Sequence, residues 1–164
     1  MQFTFTLMTE EDARTIRTWR YEAPYATYNI LDSSDDFSEE LDHRSPYYSV
    51  RDERGELIGF FNFGTSAQVW GSDEPSIFSE NRTIDIGLGL RPDLTGKGIG
   101  LAFTNAGLDF ARKQFAPDNF RLYVFTWNER AIRTYERADF QRGRVFMQRN
   151  IHGEYEFLEM HRKA

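Results

Sequence analysis

Residues 83–115 constrain this chain more than any other stretch. An apolar, β-prone segment carrying Ile84, Ile86, Leu88 and Leu90 turns at Arg91-Pro92-Asp93 and enters a glycine loop, Thr95-Gly96-Lys97-Gly98-Ile99-Gly100. Beyond it Ile99, Phe103, Ala106 and Phe110 recur at helical spacing. A strand feeding a glycine turn at a helix start gathers unpaired backbone N–H groups and the positive end of the helix dipole at one point. That point is an anion site, most naturally for phosphate.

The loop fits neither common nucleotide pattern. A Walker loop needs a hydroxyl residue directly after its Gly-Lys pair, and Lys97 is followed by Gly98. A dinucleotide fingerprint counted from Gly98 and Gly100 needs a third glycine where Phe103 stands.

At 164 residues the chain is expected to form one domain over residues 1–164, burying roughly 70% of its unfolded surface. Hydrophobic residues at 40%, with 16% aromatic, suit a packed globule. Zero cysteine excludes disulfides, cysteine-ligated zinc and a thiol nucleophile. No apolar run reaches a membrane span, and Met1-Gln2-Phe3-Thr4 does not open a signal peptide, so a cytoplasmic address is the expectation. A net charge of −6 argues against nucleic acid as partner. The first 80 residues carry 16 acids and 6 bases, the remainder 10 acids and 14 bases. Such a division suits one cationic and one polyanionic ligand. A drift of surface charge along the chain explains it equally well.

Phe3, Phe5 and Leu7 alternate with polar residues, predicting a first strand. Thr9 with Asp12 resembles a capping box, and a helix is expected to reach Trp19 or Arg20. An aromatic segment follows, with Trp19, Tyr21, Tyr25 and Tyr28 around Pro24, and leads into Asp32, Asp35, Asp36, Glu39, Glu40 and Asp42. One reading is an acceptor wall, with rings packing a substrate stem and carboxylates drawing a cationic head. The other is core aromatics beneath a solvated acidic helix. Strands are expected over 47–51 and 56–63, joined by Asp52-Glu53-Arg54-Gly55. Residues 65–82, with Trp70, Gly71, Pro75 and Phe78, form a connection long enough to be a lid or a simple excursion. Pro117 stops the central helix, a fifth strand covers 120–126, and two strands at 139–149 and 154–161 close the chain around Asn150-Ile151-His152-Gly153. The order β-α-(α)-β-β-β-α-β-α-β-β is an α/β (α+β) arrangement with a mixed sheet.

Asn128 stands as N-cap of a helix whose inner face is Ala131, Ile132, Tyr135 and Ala138. Asn128 and Tyr135 lie two turns apart on one face, about 10 Å along the axis. Together with the loop, Asn128, Ala131 and Tyr135-Glu136-Arg137-Ala138-Asp139-Phe140 resemble the GNAT N-acetyltransferase superfamily. Two positions depart from its pattern. Thr95 replaces the usual Arg or Gln, and Asp139 replaces the usual glycine.

The resemblance, carried by residues 83–140, implies a mixed, mostly antiparallel sheet splayed between strands 4 and 5 and flanked by helices. It implies acetyl-CoA as cosubstrate, held by Leu88, Leu90, Thr95, Gly96, Lys97, Gly98, Ile99, Gly100 and Asn128, with Arg91 adding a phosphate contact. It implies direct acetyl transfer to a primary amine. Tyr135 would protonate the thiolate, a backbone N–H near Leu90 would meet the oxyanion, and Asp85 would be general base with Glu22 and Glu80 in reserve. The alternative is a non-catalytic acyl-CoA binding or sensing module. The acidic first half tilts the acceptor towards a cationic small molecule, and the resemblance allows a homodimer. His43, His152 and His161 show no metal-site spacing, so no metal is expected.

Overall fold

The computed structural model describes residues 1–70, 74–150 and 153–164. Its strands are β1 (Thr4–Leu7), β2 (Tyr47–Arg51), β3 (Leu57–Phe63), β4 (Thr83–Leu90), β5 (Asn119–Phe125), β6 (Gln141–Asn150) and β7 (Gly153–Lys163). The helices are α1 (Glu10–Arg17), α2 (Gly100–Phe115) and α3 (Glu129–Arg137).

One seven-stranded sheet runs β1-β2-β3-β4-β5-β7-β6. Among the described residues only β4 and β5 pair in parallel, because α2 carries the chain back over the sheet between them. Their register holds for three pairs, Thr83 with Asn119, Ile84 with Phe120 and Asp85 with Arg121. Past these pairs β4 runs on to Leu90 and β5 to Phe125 without facing each other. The expected splayed, mostly antiparallel sheet is therefore present.

The core sits on both sides of the central strands. Phe60 and Phe61 are consecutive, so their rings leave β3 on opposite faces. On one side Phe61 and Phe63 pack with Phe103, Leu108 and Ala111 of α2 and with Ile132 of α3. On the other, Met8, Ala13, Ile16 and Phe37 pack with Trp19, Tyr47 and Phe60 beneath α1. A fully buried ring such as Phe103 contributes about 2 to 3 kcal/mol.

The elements differ from the sequence reading in four places. α1 ends at Arg17, capped by Thr18, two residues short of Trp19. Its N-terminus is as expected, with the Thr9 hydroxyl accepting from Asp12 N–H at 3.1 Å. The acidic segment forms no helix. Asp32 accepts from Ser34 N–H at 2.8 Å and Asp36 from Ser38 N–H at 3.0 Å, and these local turns outcompete helical pairing. The inner face of α2 is Phe103, Thr104, Gly107, Leu108 and Ala111, so Ala106 is only partly covered. Asp139 lies before β6 rather than in it, at φ 68°, and so adopts the left-handed turn that glycine would have taken. In the 65–82 connection, short 3-10 turns occupy Thr65–Ala67 and Glu80–Arg82, while Gly71 lies outside the described residues. The same holds for Ile151 and His152 in the last turn.

Candidate active site

The divergence of β4 and β5 opens a cleft of about 570 Å³, a size that suits a small-molecule ligand. Strand parity dictates what the cleft floor offers. Gly64 N–H donates to Asp85 O and Arg91 N–H to Ile58 O, so the odd residues of β4 spend their backbone groups on β3. The even residues Ile86, Leu88 and Leu90 consequently turn their N–H and C=O towards the gap. An extended chain laid there could pair with them as an added strand. One group is already engaged, as the Tyr21 hydroxyl donates to Leu90 O at 2.6 Å.

The glycine loop forms one end of this cleft. Gly96 at φ 71° and Gly98 at φ 82° take the left-handed backbone that turns successive N–H groups inward as an anion nest. Ile99 caps α2 without a side-chain partner, leaving the first helical N–H groups free for a ligand. Thr95, Gly96, Gly98 and Gly100 line the cleft with Leu88 and Leu90. Lys97 is exposed and, like Ile99, is not part of the lining. Arg91, expected to add a phosphate contact, pairs with Asp93 at 2.6 Å and donates to Leu57 O.

From α3 come Asn128, Arg130 and Tyr135. The Asn128 amide oxygen caps the helix at Ala131 N–H, 3.1 Å, as its sequence position predicts. Its NH2 group donates to the Tyr28 hydroxyl at 2.8 Å, tying the aromatic segment to the cleft wall. Tyr135 lines the cleft and packs its ring edge-on against Phe140. Burial pushes its phenol pKa well up, with the nearby Tyr28 adding to the effect, so the group keeps its proton at neutral pH. Tyr21 is pushed up to about 12 by burial.

Asp85 takes a different part from the one expected. It is 1% exposed and does not line the cleft. Arg121 grips both its oxygens, Nε at 2.6 Å and an NH2 group at 2.9 Å, and Gln68 donates a third bond at 2.9 Å. This pairing raises the Arg121 pKa. A carboxylate so engaged clamps the two strands together, and to act as the expected base it would first have to give up one of these bonds. It closes the last register pair before the strands part. The reserves fare no better, as neither Glu22 nor Glu80 lines the cleft and the exposed Glu80 pairs with Arg121 at 3.3 Å.

The aromatic segment meets one of its two readings halfway. Trp19, Tyr21, Tyr25 and Tyr28 do line the cleft. The carboxylates behind them do not. Asp35 pairs with Arg14, Glu40 with Arg17 and Asp42 with Arg44.

Sequence reasoning missed Arg130 and Tyr123. Arg130 reaches Gly96, with its NH1 3.3 Å from where a β-carbon would stand, and its guanidinium lies 4.0 Å over the Tyr25 ring. Its position two residues after the capping asparagine was the available signal. Tyr123 had none, as it reads as one more strand aromatic.

An anion nest thus opens onto a slot between two strand edges, a shape that would suit a long ligand with an anionic end. The chain belongs to the Acetyltransferase (GNAT) family, whose model matches residues 13–140. A mycothiol acetyltransferase of Propionibacterium freudenreichii subsp. shermanii is 36% identical over 91 residues, 56% of this chain and 26% of that protein, so the chain spans about a quarter of that relative. Among solved structures, a chimera of the spermidine N-acetyltransferase SpeG of Vibrio cholerae and hSSAT superposes with a TM-score of 0.76 at 20% identity, covering 98% of this chain and 95% of the other. SpeG of Vibrio cholerae in complex with CoA and spermine gives 0.72 at 20% identity, covering 99% and 95%. At that identity the likeness defines the fold.

Proposed function

We propose that the chain transfers an acetyl group from acetyl-CoA to a primary amine by direct attack within a ternary complex. The observation that carries this reading is the slot between β4 and β5 that joins the glycine nest to Tyr135. The residues present suit acetyl-CoA. Gly96, Gly98, Gly100 and the flanking Thr95, Lys97 and Ile99 offer N–H groups for a pyrophosphate, Arg130 stands beside them, and Leu88, Leu90 and Asn128 offer partners for a pantetheine arm. That the structural neighbours carry spermidine acetyltransferase names favours an amine as acceptor.

Acetyl-CoA supplies the acetyl group as a thioester, and transfer forms an amide C–N bond as the C–S bond breaks. The chain's part is to align, polarise and protonate. A Leu90 N–H turned to the gap can donate to the carbonyl oxygen as charge builds there. Tyr135 holds a proton on its phenolic oxygen and gives it to the departing sulfur. No carboxylate lines the cleft among the described residues, so the amine enters as free base, its surplus proton leaves to solvent after attack, and solvent returns one proton to the Tyr135 phenolate to close the cycle. For a lysine-like amine about one molecule in 2,500 is neutral at pH 7, a cost of about 4.6 kcal/mol.

Calorimetry with CoA, followed by thiol release with acetyl-CoA and an amine panel, tests this. Saturable CoA binding and turnover are expected, with Tyr135→Phe losing about 10²- to 10⁴-fold in kcat while binding CoA normally. No heat from CoA would overturn the proposal. Binding without turnover on any amine would leave a sensing module instead.

A further inference from the structure

We propose that the acceptor is a monoamine with an apolar, aromatic body, seated against Trp19, Phe60 and Tyr123, with the Tyr123 hydroxyl receiving its N–H. The inference rests on the reading above and narrows its acceptor class.

Three observations carry it. First, the lining of the cleft holds many rings and no carboxylate among the described residues; its charged members are Arg130 and Arg137, both cationic. The carboxylates nearest Tyr123, those of Asp85 and Glu159, are already paired with Arg121 and Arg144, so a chain bearing several ammonium groups would meet spent counter-charge there, whereas one amine on a flat apolar stem meets aromatic faces. Second, the acidic residues of the first half, which could have drawn a polycation, are held outside the cleft by Arg14, Arg17 and Arg44. Third, the Tyr123 hydroxyl is buried without a hydrogen-bond partner among the described residues, although Tyr123 lines the cleft. A buried phenol oxygen left unpaired costs free energy that a ligand N–H would recover. Its ring is fixed edge-on by Trp70 at 5.1 Å and by Phe146 at 5.7 Å, so the oxygen is held in place before any ligand arrives.

Phenethylamine and spermidine separate the possibilities in one thiol-release assay, run on protein whose CoA binding has first been established by calorimetry. We expect kcat/KM for phenethylamine to exceed that for spermidine at least tenfold. Tyr123→Phe should raise KM for phenethylamine about tenfold and leave CoA affinity unchanged. Trp19→Ala should raise the same KM, and calorimetry of phenethylamine into the CoA-loaded protein should lose affinity in both variants. Equal or better use of spermidine overturns the inference, as does turnover of neither amine by protein that binds CoA. An unchanged phenethylamine KM in Tyr123→Phe overturns the part given to that hydroxyl. Absence of CoA binding instead defeats the acetyltransferase reading beneath it.

Discussion

Asp85 and Tyr135 stood together in the sequence reading as base and acid, and the structure sorts them by neighbourhood. Tyr135 is reached by helix arithmetic alone, since Asn128 two turns earlier fixes the face it shares. Asp85 could not be assigned that way. Its partner Arg121 lies 36 positions later and meets it only through the parallel register of β4 and β5, which no local pattern encodes. An acid on a central strand reads equally as base or clamp until its partner is known. Asp85→Asn should therefore destabilise the fold by about 3 kcal/mol, because Arg121 would lose its buried two-point partner and keep only the exposed Glu80 as counter-charge. Urea unfolding checks it. A stable variant with a lost limb in the pH profile would return Asp85 to the role of base.

At the scale of elements, what repeats in sequence was legible and what opposes a repeat was not. The glycine loop, both flanking helices and the succession of strands along the chain follow from periodicity and caps. The acidic segment at 32–42 misled because acids suggest a solvated helix, while Asp-Ser spacing closes local turns instead. In the loop itself, Gly98 has open space around the place of a β-carbon, so Gly98→Ala strains only the backbone, by about 1 to 2 kcal/mol at its positive φ. Relief of that strain repoints the nest, and CoA affinity should fall about tenfold or more in calorimetry with the melting temperature nearly kept. On the other face, α1 is anchored to β2 by Asp12 and Arg51 at 2.8 Å. The Arg51 guanidinium holds the Asp12 carboxyl below the usual range, against the opposing effect of burial. A depressed carboxylate lends stability above its unfolded pKa near 3.9 and loses it as pH falls through the lower folded value. Asp12→Asn should thus cost about 2 kcal/mol at pH 7 and progressively less below pH 4, measured by urea midpoints across that range.

For the whole molecule, the sheet is two antiparallel halves, β1 to β4 and β5 to β7, joined by three residue pairs and the Asp85 clamp. The apolar runs of β4 and β5 do not announce this division, as both read as ordinary buried strands; only the family resemblance foretold the splay. Within the sheet the halves meet by backbone pairing along less than half of β4, so the seam is its least supported line. A ligand that lies in the slot and pairs with Leu88 and Leu90 would add the missing ladder and couple the halves. Binding to the folded state alone adds RT ln(1 + [L]/Kd), about 2.7 kcal/mol at a hundredfold excess over Kd. For a chain of this size that corresponds to a rise of roughly 5 to 10 °C in melting temperature. Hydrogen exchange should place the new protection at the amides of Leu88 and Leu90, whose N–H groups face the gap, and leave Gly87 and Gly89, already paired to β3, unchanged. Protection confined to the glycine loop, with the two leucine amides exchanging as before, would mean that the phosphates are held while the slot stays empty.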